Sequence, residues 1–214
     1  TQIVIPPLSL TGSVTLSALD DADPEPSETV LVEILSVTNA VESGEQDVTI
    51  VITDNDGTIR LFGSDSNDTA CVWPGTPGGT FHRVSVNGTV TTYDPVVYDA
   101  ICIDALTGND TITVYGTDGS ESATLRPGSV DVSGPGYTIH AVNVETITVD
   151  AGLGNDQVTM AGSTASNRLY SYADYSRLTD STRSFSHRVE GFETLTVDVS
   201  GGSTDSAYLY DTPD

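Results

Sequence analysis

The chain has 214 residues, of which 31 are acidic, 7 are arginine and none is lysine, so its formal net charge is −24. A chain this anionic is repelled by nucleic-acid phosphates and by anionic lipid, and we expect neither as a partner. Small cations are its natural partners. Val, Thr, Ile and Tyr are abundant and no long stretch keeps a helical period, which predicts an all-β protein.

Residues 1–56 form a segment of their own. An acidic loop over residues 20–28 interrupts a series of apolar–polar alternations, and a turn is expected at 42–45. Alternation of this kind is typical of half-buried strands. We therefore predict four strands in this segment, at residues 2–5, 12–17, 29–37 and 47–53.

The same segment resembles the second half of a Calx-β domain, the calcium-binding sandwich of sodium/calcium exchangers and of many bacterial surface proteins. The resemblance rests on the acidic loop and on the runs at residues 36–39 and 52–56. The first strands of that family are missing here. The resemblance therefore implies a partial antiparallel sandwich that either the following repeats or another chain completes.

Calcium takes about six to eight oxygens, largely from carboxylates and carbonyls. In the Calx-β pattern the end of the last strand reaches the same tip as the acidic loop. The resemblance therefore implies a calcium site formed by Asp20, Asp21, Glu25, Glu28, Asp54 and Asp56. The alternative is a solvated acidic turn interrupted by prolines.

Residues 57–214 contain a repeated turn. Gly108-Asn109-Asp110 and Gly154-Asn155-Asp156 are near copies, an earlier version lies at residues 63–68, and a diverged one at 201–205. The four aspartates, at 68, 110, 156 and 205, are spaced by 42, 46 and 49 residues. A period of this length indicates stacked β-solenoid coils. We predict units at about 57–98, 99–144 and 145–192 and an incomplete unit at 193–214; a mixed β-sandwich array is the alternative.

Two features within the repeats predict finer structure. Asn87-Gly88 between two alternating runs, 81–86 and 89–93, predicts a hairpin with a two-residue type I′ turn. Similar aliphatic strands precede three of the repeated turns. We expect these strands to stack in register as one internal ladder, formed by Ile101 and Ile103, Ile147 and Val149, and Leu195 and Val197.

The stretch at 152–158 resembles the glycine- and aspartate-rich nonapeptide of RTX proteins, which implies calcium at Asp110, Asn155 and Asp156. RTX ladders repeat every nine residues or so, whereas one turn occurs per coil here, so only stacking of coils could bring Asp110 near Asp156. Turn chemistry without metal is the alternative. Residues 125–150 resemble repeats of very large surface proteins from Planctomycetes-type bacteria.

Two further groups are candidate sites. Cys71 and Cys102 lie on different predicted strands with aliphatic neighbours that point inward, so an outward-facing disulfide is possible and two free thiols are the alternative. Tyr170, Tyr172 and Tyr175 lie near arginines and form a possible carbohydrate contact, because amphipathic rings suit sugars. Packing of these rings against neighbouring coils is the alternative.

No catalytic constellation is visible. The three histidines are isolated from one another, and no Gly-x-Ser-x-Gly motif occurs. We expect a non-enzymatic, calcium-stabilised structural module, secreted or at the cell surface, from a bacterial adhesin, surface layer or filament that assembles by strand addition. A carbohydrate-binding module is the alternative. A polysaccharide-active β-helix enzyme is less favoured, since anionic sugars need cationic grooves.

Overall fold

The computed structural model describes residues 3–5, 9, 11–17, 28–41, 44, 46–52, 57–202 and 204–210. The chain divides into two compact units, Thr1–Thr53 and Asp54–Asp214. Regular structure in the described residues consists of eighteen strands, which confirms the all-β fold. No helix in this part of the chain is long and apolar enough to cross a membrane.

The first unit contains one antiparallel hairpin, formed by β1 (Glu28–Glu33) and β2 (Asp47–Ile52). Both strands were predicted, although β1 ends earlier than expected. The strands predicted near residues 2–5 and 12–17 are wrong for the residues described there, which have no regular structure. Alternation alone does not form a strand, because a strand needs a neighbour to receive its hydrogen bonds.

The second unit contains the remaining strands. They are β3 (Gly57–Ser64), β4 (Thr69–Trp73), β5 (His82–Val86), β6 (Thr89–Tyr93), β7 (Tyr98–Leu106), β8 (Thr111–Tyr115), β9 (Ser122–Arg126), β10 (Gly128–Gly134), β11 (Tyr137–Val144), β12 (Thr146–Asp150), β13 (Gln157–Ala161), β14 (Asn167–Ser171), β15 (Tyr175–Asp180), β16 (Ser186–Glu190), β17 (Thr194–Asp198) and β18 (Ser206–Leu209). They form a seven-stranded sheet, in the order β17-β13-β9-β10-β11-β7-β3, and a nine-stranded sheet, in the order β18-β14-β15-β16-β12-β8-β4-β5-β6.

The chain alternates between these two sheets, so the second unit is a β-solenoid of about four turns. Most neighbouring strands are parallel and come from successive coils. The antiparallel pairs come from excursions within a coil, namely β4–β5–β6, β9–β10–β11 and β14–β15–β16. The predicted solenoid is therefore confirmed, with hairpins inserted into its coils.

The hydrophobic core lies on the facing sides of the two sheets. Burial alternates along each strand, so that in β8, for example, Ile112 and Val114 are fully buried while their neighbours are half-exposed. Parallel register places like residues side by side, as in the row Ile59–Ile101–Ile139. Burying one such side chain contributes roughly 1.5–3 kcal/mol. The aliphatic rows therefore provide most of the attraction between coils.

The predicted single ladder of aliphatic strands is wrong in its pairing. β7 lies between β3 and β11, and β17 pairs with β13, in the seven-stranded sheet. β12 belongs to the other sheet, between β8 and β16. After β7 the repeated turn leads the chain from the seven-stranded to the nine-stranded sheet. After β12 it leads the chain back to the seven-stranded sheet. Sequence similarity thus marks the same local turn, not the same position in a coil.

The hairpin at Asn87-Gly88 is confirmed. β5 and β6 pair with Val86 opposite Thr89, and the two turn residues have φ values of 50° and 80°. Positive φ at both central positions defines the type I′ turn, which suits the twist of the flanking strands.

Candidate functional site

The corners that join the two sheets contain the most unusual chemistry of the molecule. At several corners an acidic residue stands directly before a strand, and its carboxylate accepts the backbone N–H of the equivalent residue one coil earlier. We call the first such set, Asp68, Asp110 and Glu145, the first corner stack. The N–H of Asp68 donates to Oδ1 of Asp110 (2.6 Å), and the N–H of Asp110 donates to Oε2 of Glu145 (2.7 Å).

The second corner stack consists of Glu121, Asp156 and Glu193, at corners where the chain returns to the seven-stranded sheet. The N–H of Glu121 donates to Oδ1 of Asp156, and the N–H of Asp156 donates to Oε2 of Glu193, both at 2.6 Å. A third pair repeats the rule, with the N–H of Asn167 donating to Oδ1 of Asp205 (2.8 Å). Every described corner acid of these sets thus links two coils.

The first corner stack begins at an acid with local partners. The backbone N–H of Ser64 donates to Oδ2 of Asp68 (2.6 Å), and the side-chain amide of Asn87 donates to Oδ1. These hydrogen bonds, that of Asn87 first, lower the pKa of Asp68. A carboxylate that receives several donors is stabilised in its charged form.

The second corner stack begins at an acid in drier surroundings. Glu121 is 2% exposed, and its Oε1 accepts hydrogen bonds from Oγ1 of Thr117 (2.6 Å) and from the hydroxyl of Tyr137 (3.2 Å). Burial is the main cause that raises the pKa of Glu121, and the nearby charge of Asp156 adds to it. Burial also raises the pKa of Tyr137 strongly. This corner therefore disfavours the charged form of Glu121 compared with an exposed glutamate.

Three carboxylate oxygens of the corner stacks are buried without a hydrogen-bond partner in the described structure. They are Oδ2 of Asp110, Oε2 of Glu121 and Oδ2 of Asp156. Beside Asp110 and Asp68 lies a cavity of about 10 Å³, otherwise lined mainly by aliphatic side chains. A cavity of this size holds about one water molecule.

Calcium does not fit the described corners well. Asp110 and Asp156 each use one oxygen for a backbone N–H and lie in different corner stacks, while Asn155 is exposed. Within the described part of the chain, no three His, Cys, Asp or Glu side chains are grouped as a metal site. Two carboxylates fall short of the roughly six oxygens that calcium takes.

The predicted calcium site in the first unit lies almost entirely outside the described residues. This applies to Asp20, Asp21, Glu25, Asp54 and Asp56. Glu28 is described, and it is exposed at the start of β1. Calcium binding by the acidic loop therefore stays a prediction.

The glycines of the repeated turn are required by the close approach of neighbouring coils. A Cβ atom at Gly154 would lie 1.9 Å from the carbonyl oxygen of Gly119, and one at Gly108 would lie 2.8 Å from that of Ser66. Neither position has room for a side chain. The motif that resembles RTX turns is explained here by coil-to-coil packing, which requires no ion.

Glu121, Glu145 and Glu193 were missed by the sequence analysis. The sequence does contain a pattern that indicates them, because each is an acid directly before a strand. The spacing is 35 residues from Asp110 to Glu145 and 37 residues from Asp156 to Glu193. The Gly-Asn-Asp motif does not reveal this pattern, because the corners of the three glutamates lack that motif.

Cys71 and Cys102 are free thiols in the structure. Cys71 lies on β4 of the nine-stranded sheet and Cys102 on β7 of the seven-stranded sheet, each half-buried between buried aliphatic neighbours. Both side chains therefore face outward, on different sheets. The possible disulfide between them is not formed, and burial raises the pKa of the Cys71 thiol.

The three tyrosines of the possible carbohydrate contact do come together. Tyr172 stacks on Tyr175 and also on Tyr210, in each case with ring centroids 4.7 Å apart. The guanidinium of Arg188 lies 3.9 Å from the ring centroid of Tyr175, and Tyr170 stacks on Tyr208 at 5.1 Å. Many ring faces are thus covered by other side chains, and packing between strands accounts for this arrangement.

No protein-family model, curated protein or solved structure matches the chain. The class that the fold and the corner stacks define is a β-solenoid repeat protein with carboxylate-linked coils.

Proposed function

We propose that this chain is a non-enzymatic structural module of a bacterial surface protein, such as an adhesin, a surface layer or a filament. The corner stacks are the observation that supports this role. They join successive coils by hydrogen bonds from buried backbone donors to carboxylates, in addition to the strand ladders. Such contacts give a stiff rod, because one coil cannot move without exposing donors of the next.

The strength of these links follows from their burial. A hydrogen bond to a charged group contributes roughly 1.5–3 kcal/mol, and leaving its buried donor without a partner costs about as much. Asp110 and Asp156 are each 1% exposed, so water does not replace them readily. We therefore assign the corner carboxylates a mechanical role.

Single-molecule pulling on the chain, held between handles at its two ends, tests this role. We expect the second unit to resist force cooperatively, and we expect Asp156→Ala to lower its unfolding force. Asp131→Ala is the matched control, since Asp131 is a half-exposed acid of β10 outside the corner stacks. Equal unfolding forces for the original chain and for Asp156→Ala would contradict the proposal.

Calcium stabilisation is a second part of the proposal, and it concerns the acidic loop. The support is the net charge of −24 and the concentration of carboxylates in residues 20–28 and 54–56. Close carboxylates repel one another, and a divalent ion that binds only the folded state stabilises it by mass action. The described corners are already linked by backbone donors, so the loop is the better site.

A thermal melt in calcium, in magnesium and in chelator tests this part. We expect calcium alone to raise the midpoint of the transition that involves the first unit. The double variant Asp54→Asn, Asp56→Asn should lose that increase, and the control Asp131→Asn should keep it. Superimposed melts in calcium and chelator would refute the calcium site without affecting the mechanical role.

Carbohydrate binding is the second candidate function. It is favoured by tyrosines and arginines that share the outer face of the nine-stranded sheet, where Tyr170 is paired with Arg177 and Arg177 with Arg188. A glycan array compares the original chain with Tyr170→Ala and Tyr172→Ala. Binding that both variants lose would support a carbohydrate-binding module, and its absence would leave the structural role alone.

A further inference from the structure

One row of side chains on the outer face of the seven-stranded sheet brings a thiol, an imidazole and a carboxylate onto adjacent strands. Register pairs Cys102 of β7 with His140 of β11, and His140 with Asp131 of β10. All three strands are interior strands of the sheet. Each of the three residues stands between two buried aliphatic ones, so they share the outer face. Because neighbouring strands lie about 4.8 Å apart, the imidazole is the lateral neighbour of both the thiol and the carboxylate.

The imidazole of His140 is held by the carboxylate of Asp131. Its Nδ1 lies 2.6 Å from Oδ1 of Asp131, and Oδ2 of Asp131 accepts a hydrogen bond from the guanidinium of Arg126 at 2.9 Å. An ionised carboxylate only accepts hydrogen bonds, so Nδ1 carries the proton. In the neutral ring Nε2 then has a free lone pair and can accept a proton. A base that is oriented by a third group and stands next to a thiol is the arrangement that activates a cysteine as a nucleophile.

Two charged side chains flank the thiol besides His140. Arg60 of β3 is the register partner of Cys102 on its other side, and Asp104 lies two residues along β7 on the same face. Their effects on a thiolate have opposite signs. Activation of Cys102 therefore depends on the base and not on a surplus of positive charge.

We propose that Cys102 is a modification site at which small disulfides form a mixed disulfide, with His140 as the base and Asp131 as the positioning residue. Nε2 of His140 takes the thiol proton, and Sγ of Cys102 attacks one sulfur of the disulfide. The S–S bond breaks, its electron pair stays on the departing sulfur, and this thiolate takes the proton from His140. Cys102 is thereby oxidised, and half of the disulfide is reduced to a free thiol. Each chain reacts once, so the result is a covalent attachment on the outer face of the solenoid, compatible with a structural module.

The surroundings of Cys102 favour disulfide exchange over acyl transfer. Acyl transfer needs hydrogen-bond donors aimed at the oxyanion that forms. β7 pairs with β3 on one side and with β11 on the other, so its backbone N–H groups are engaged in the two ladders. Attack on a disulfide places the developing charge on sulfur and needs no such donors. The open face admits a small reagent, since the side chains of His140 and Asp131 are 52% and 49% exposed.

Cys71 provides a comparison within the same chain. It also faces outward, yet its register partners are Ser85 and Thr113, whose hydroxyls are poor bases. Burial raises the pKa of its thiol, and the charge of Arg83 opposes that effect. The reactivity of a cysteine follows its thiolate fraction and its access to solvent. We therefore expect Cys71 to react slowly with the same disulfides.

Rates of reaction with dithiodipyridine, an uncharged aromatic disulfide, test the assignment in the folded chain. Cys71→Ser leaves Cys102 as the only thiol, and Cys102→Ser leaves Cys71. We expect Cys102 to react about tenfold or more faster than Cys71 at pH 7. Oxidised glutathione should also react at Cys102, and mass spectrometry of the intact chain should detect one added glutathione.

Two variants in the Cys71→Ser background test the base and its orientation. His140→Gln should lower the rate at pH 7 about tenfold, less than a general base contributes in buried enzyme sites, and Asp131→Asn should lower it less. Both losses should vanish near pH 10, because a thiol ionises there without a base. Thr138→Gln is the matched control, since Thr138 is exposed two residues before His140 on the same strand. It should keep the original rate at both pH values.

Three outcomes would overturn the inference. One is equal rates for Cys102 and Cys71 at pH 7. A second is a His140→Gln variant that reacts as fast as the original chain at pH 7. The third is a loss in His140→Gln that persists by the same factor at pH 10, which would mean that the histidine acts on the structure alone.

Discussion

The first and second corner stacks join successive coils through the same hydrogen bond, yet they begin in different surroundings. Asp68 starts the first among donors, which lower its pKa, and Glu121 starts the second in a buried site, which raises its pKa. In both stacks the first member contributes its backbone N–H to the link, so its own carboxyl group can lie in either environment. What the next coil must supply is an acceptor for that buried N–H.

The buried His187, which belongs to neither stack, also makes the stability of the protein depend on pH. It is fully buried on β16, and burial lowers its pKa from 6.5 to about 4. The unfolded chain therefore takes up a proton near pH 6.5 and the folded chain does not, so stability falls between pH 6.5 and about 4. The shift corresponds to a loss of about 3 kcal/mol.

Chemical denaturation from pH 4 to 8 measures the loss of stability, and His187→Leu should remove the part that this histidine causes. His82 is also buried with a lowered pKa and adds a loss of the same sign. The exposed His140, changed to Gln, is the control and should leave the loss in place. An unchanged pH profile in His187→Leu would show that this histidine is not the source.

Substitution of the middle carboxylate in each stack tests directly whether its acceptor oxygen links the coils. Asp110→Ala leaves the N–H of Asp68 without a partner, and Asp156→Ala does the same to Glu121. We expect each to cost about 2 kcal/mol in the free energy of unfolding at pH 7. Asp110→Asn and Asp156→Asn keep an acceptor oxygen and should cost less.

Equal losses for the alanine and asparagine variants in urea melts would argue against this account. They would mean that charge, and not the acceptor, holds the coils together.

Neutral replacements of Asp68 and Glu121 should affect the pH dependence of stability in opposite directions, because the two pKa shifts have opposite signs. The lowered pKa of Asp68 gives stability that is present above pH 3.8 and is lost as pH falls through the folded pKa. The raised pKa of Glu121 gives stability that is full below pH 4.5 and is lost as pH rises through the folded pKa.

Accordingly, Asp68→Asn should destabilise the protein at pH 7 and change little in strong acid. Glu121→Gln should be neutral or stabilising at pH 7. Unfolding free energies are measured against pH in the His187→Leu background. For each variant, the change in unfolding free energy relative to that background should vary with pH, with opposite slopes for the two variants. Slopes of the same sign would contradict the difference between the stacks.

The smallest expected effect concerns the amide that supports Asp68. Asn87→Asp keeps the acceptor for the N–H of Thr69 but places a second carboxylate beside Asp68. We expect a loss of about 1 kcal/mol at pH 7 that high salt reduces. Asn143→Asp is the control, since Asn143 also has positive φ and donates to a half-exposed acid, Asp104. A larger loss in the control would refute the role of Asn87.

Local features of the second unit were predictable from the sequence, and long-range pairing was not. The turn at Asn87-Gly88 follows from the φ values that these residue types accept. The strand at Ile147–Asp150 was also predicted, yet its neighbours β8 and β16 were not, because any aliphatic strand satisfies the alternation. Parallel pairing depends on how many hairpins each coil inserts, and this count leaves no local signal.

The candidate site was predictable in the same partial sense. Asp110 and Asp156 were singled out for the right turn but for a different chemistry, since calcium was expected where backbone donors are found. Glu121 was missed because its burial depends on Tyr137, which comes from another strand. A carboxylate before a strand is unremarkable in the sequence and becomes important only when coils stack.

The hydrogen bonds of the corner stacks all point in one chain direction, from the amide of an earlier coil to the acid of a later one. When the last coil detaches, the coil before it loses an acceptor and keeps a buried, unsatisfied amide. When the first coil detaches, the next one keeps a carboxylate that water can solvate. Detaching the first coil therefore costs less than detaching the last, so the corner hydrogen bonds give the stack of coils two ends of unequal mechanical strength.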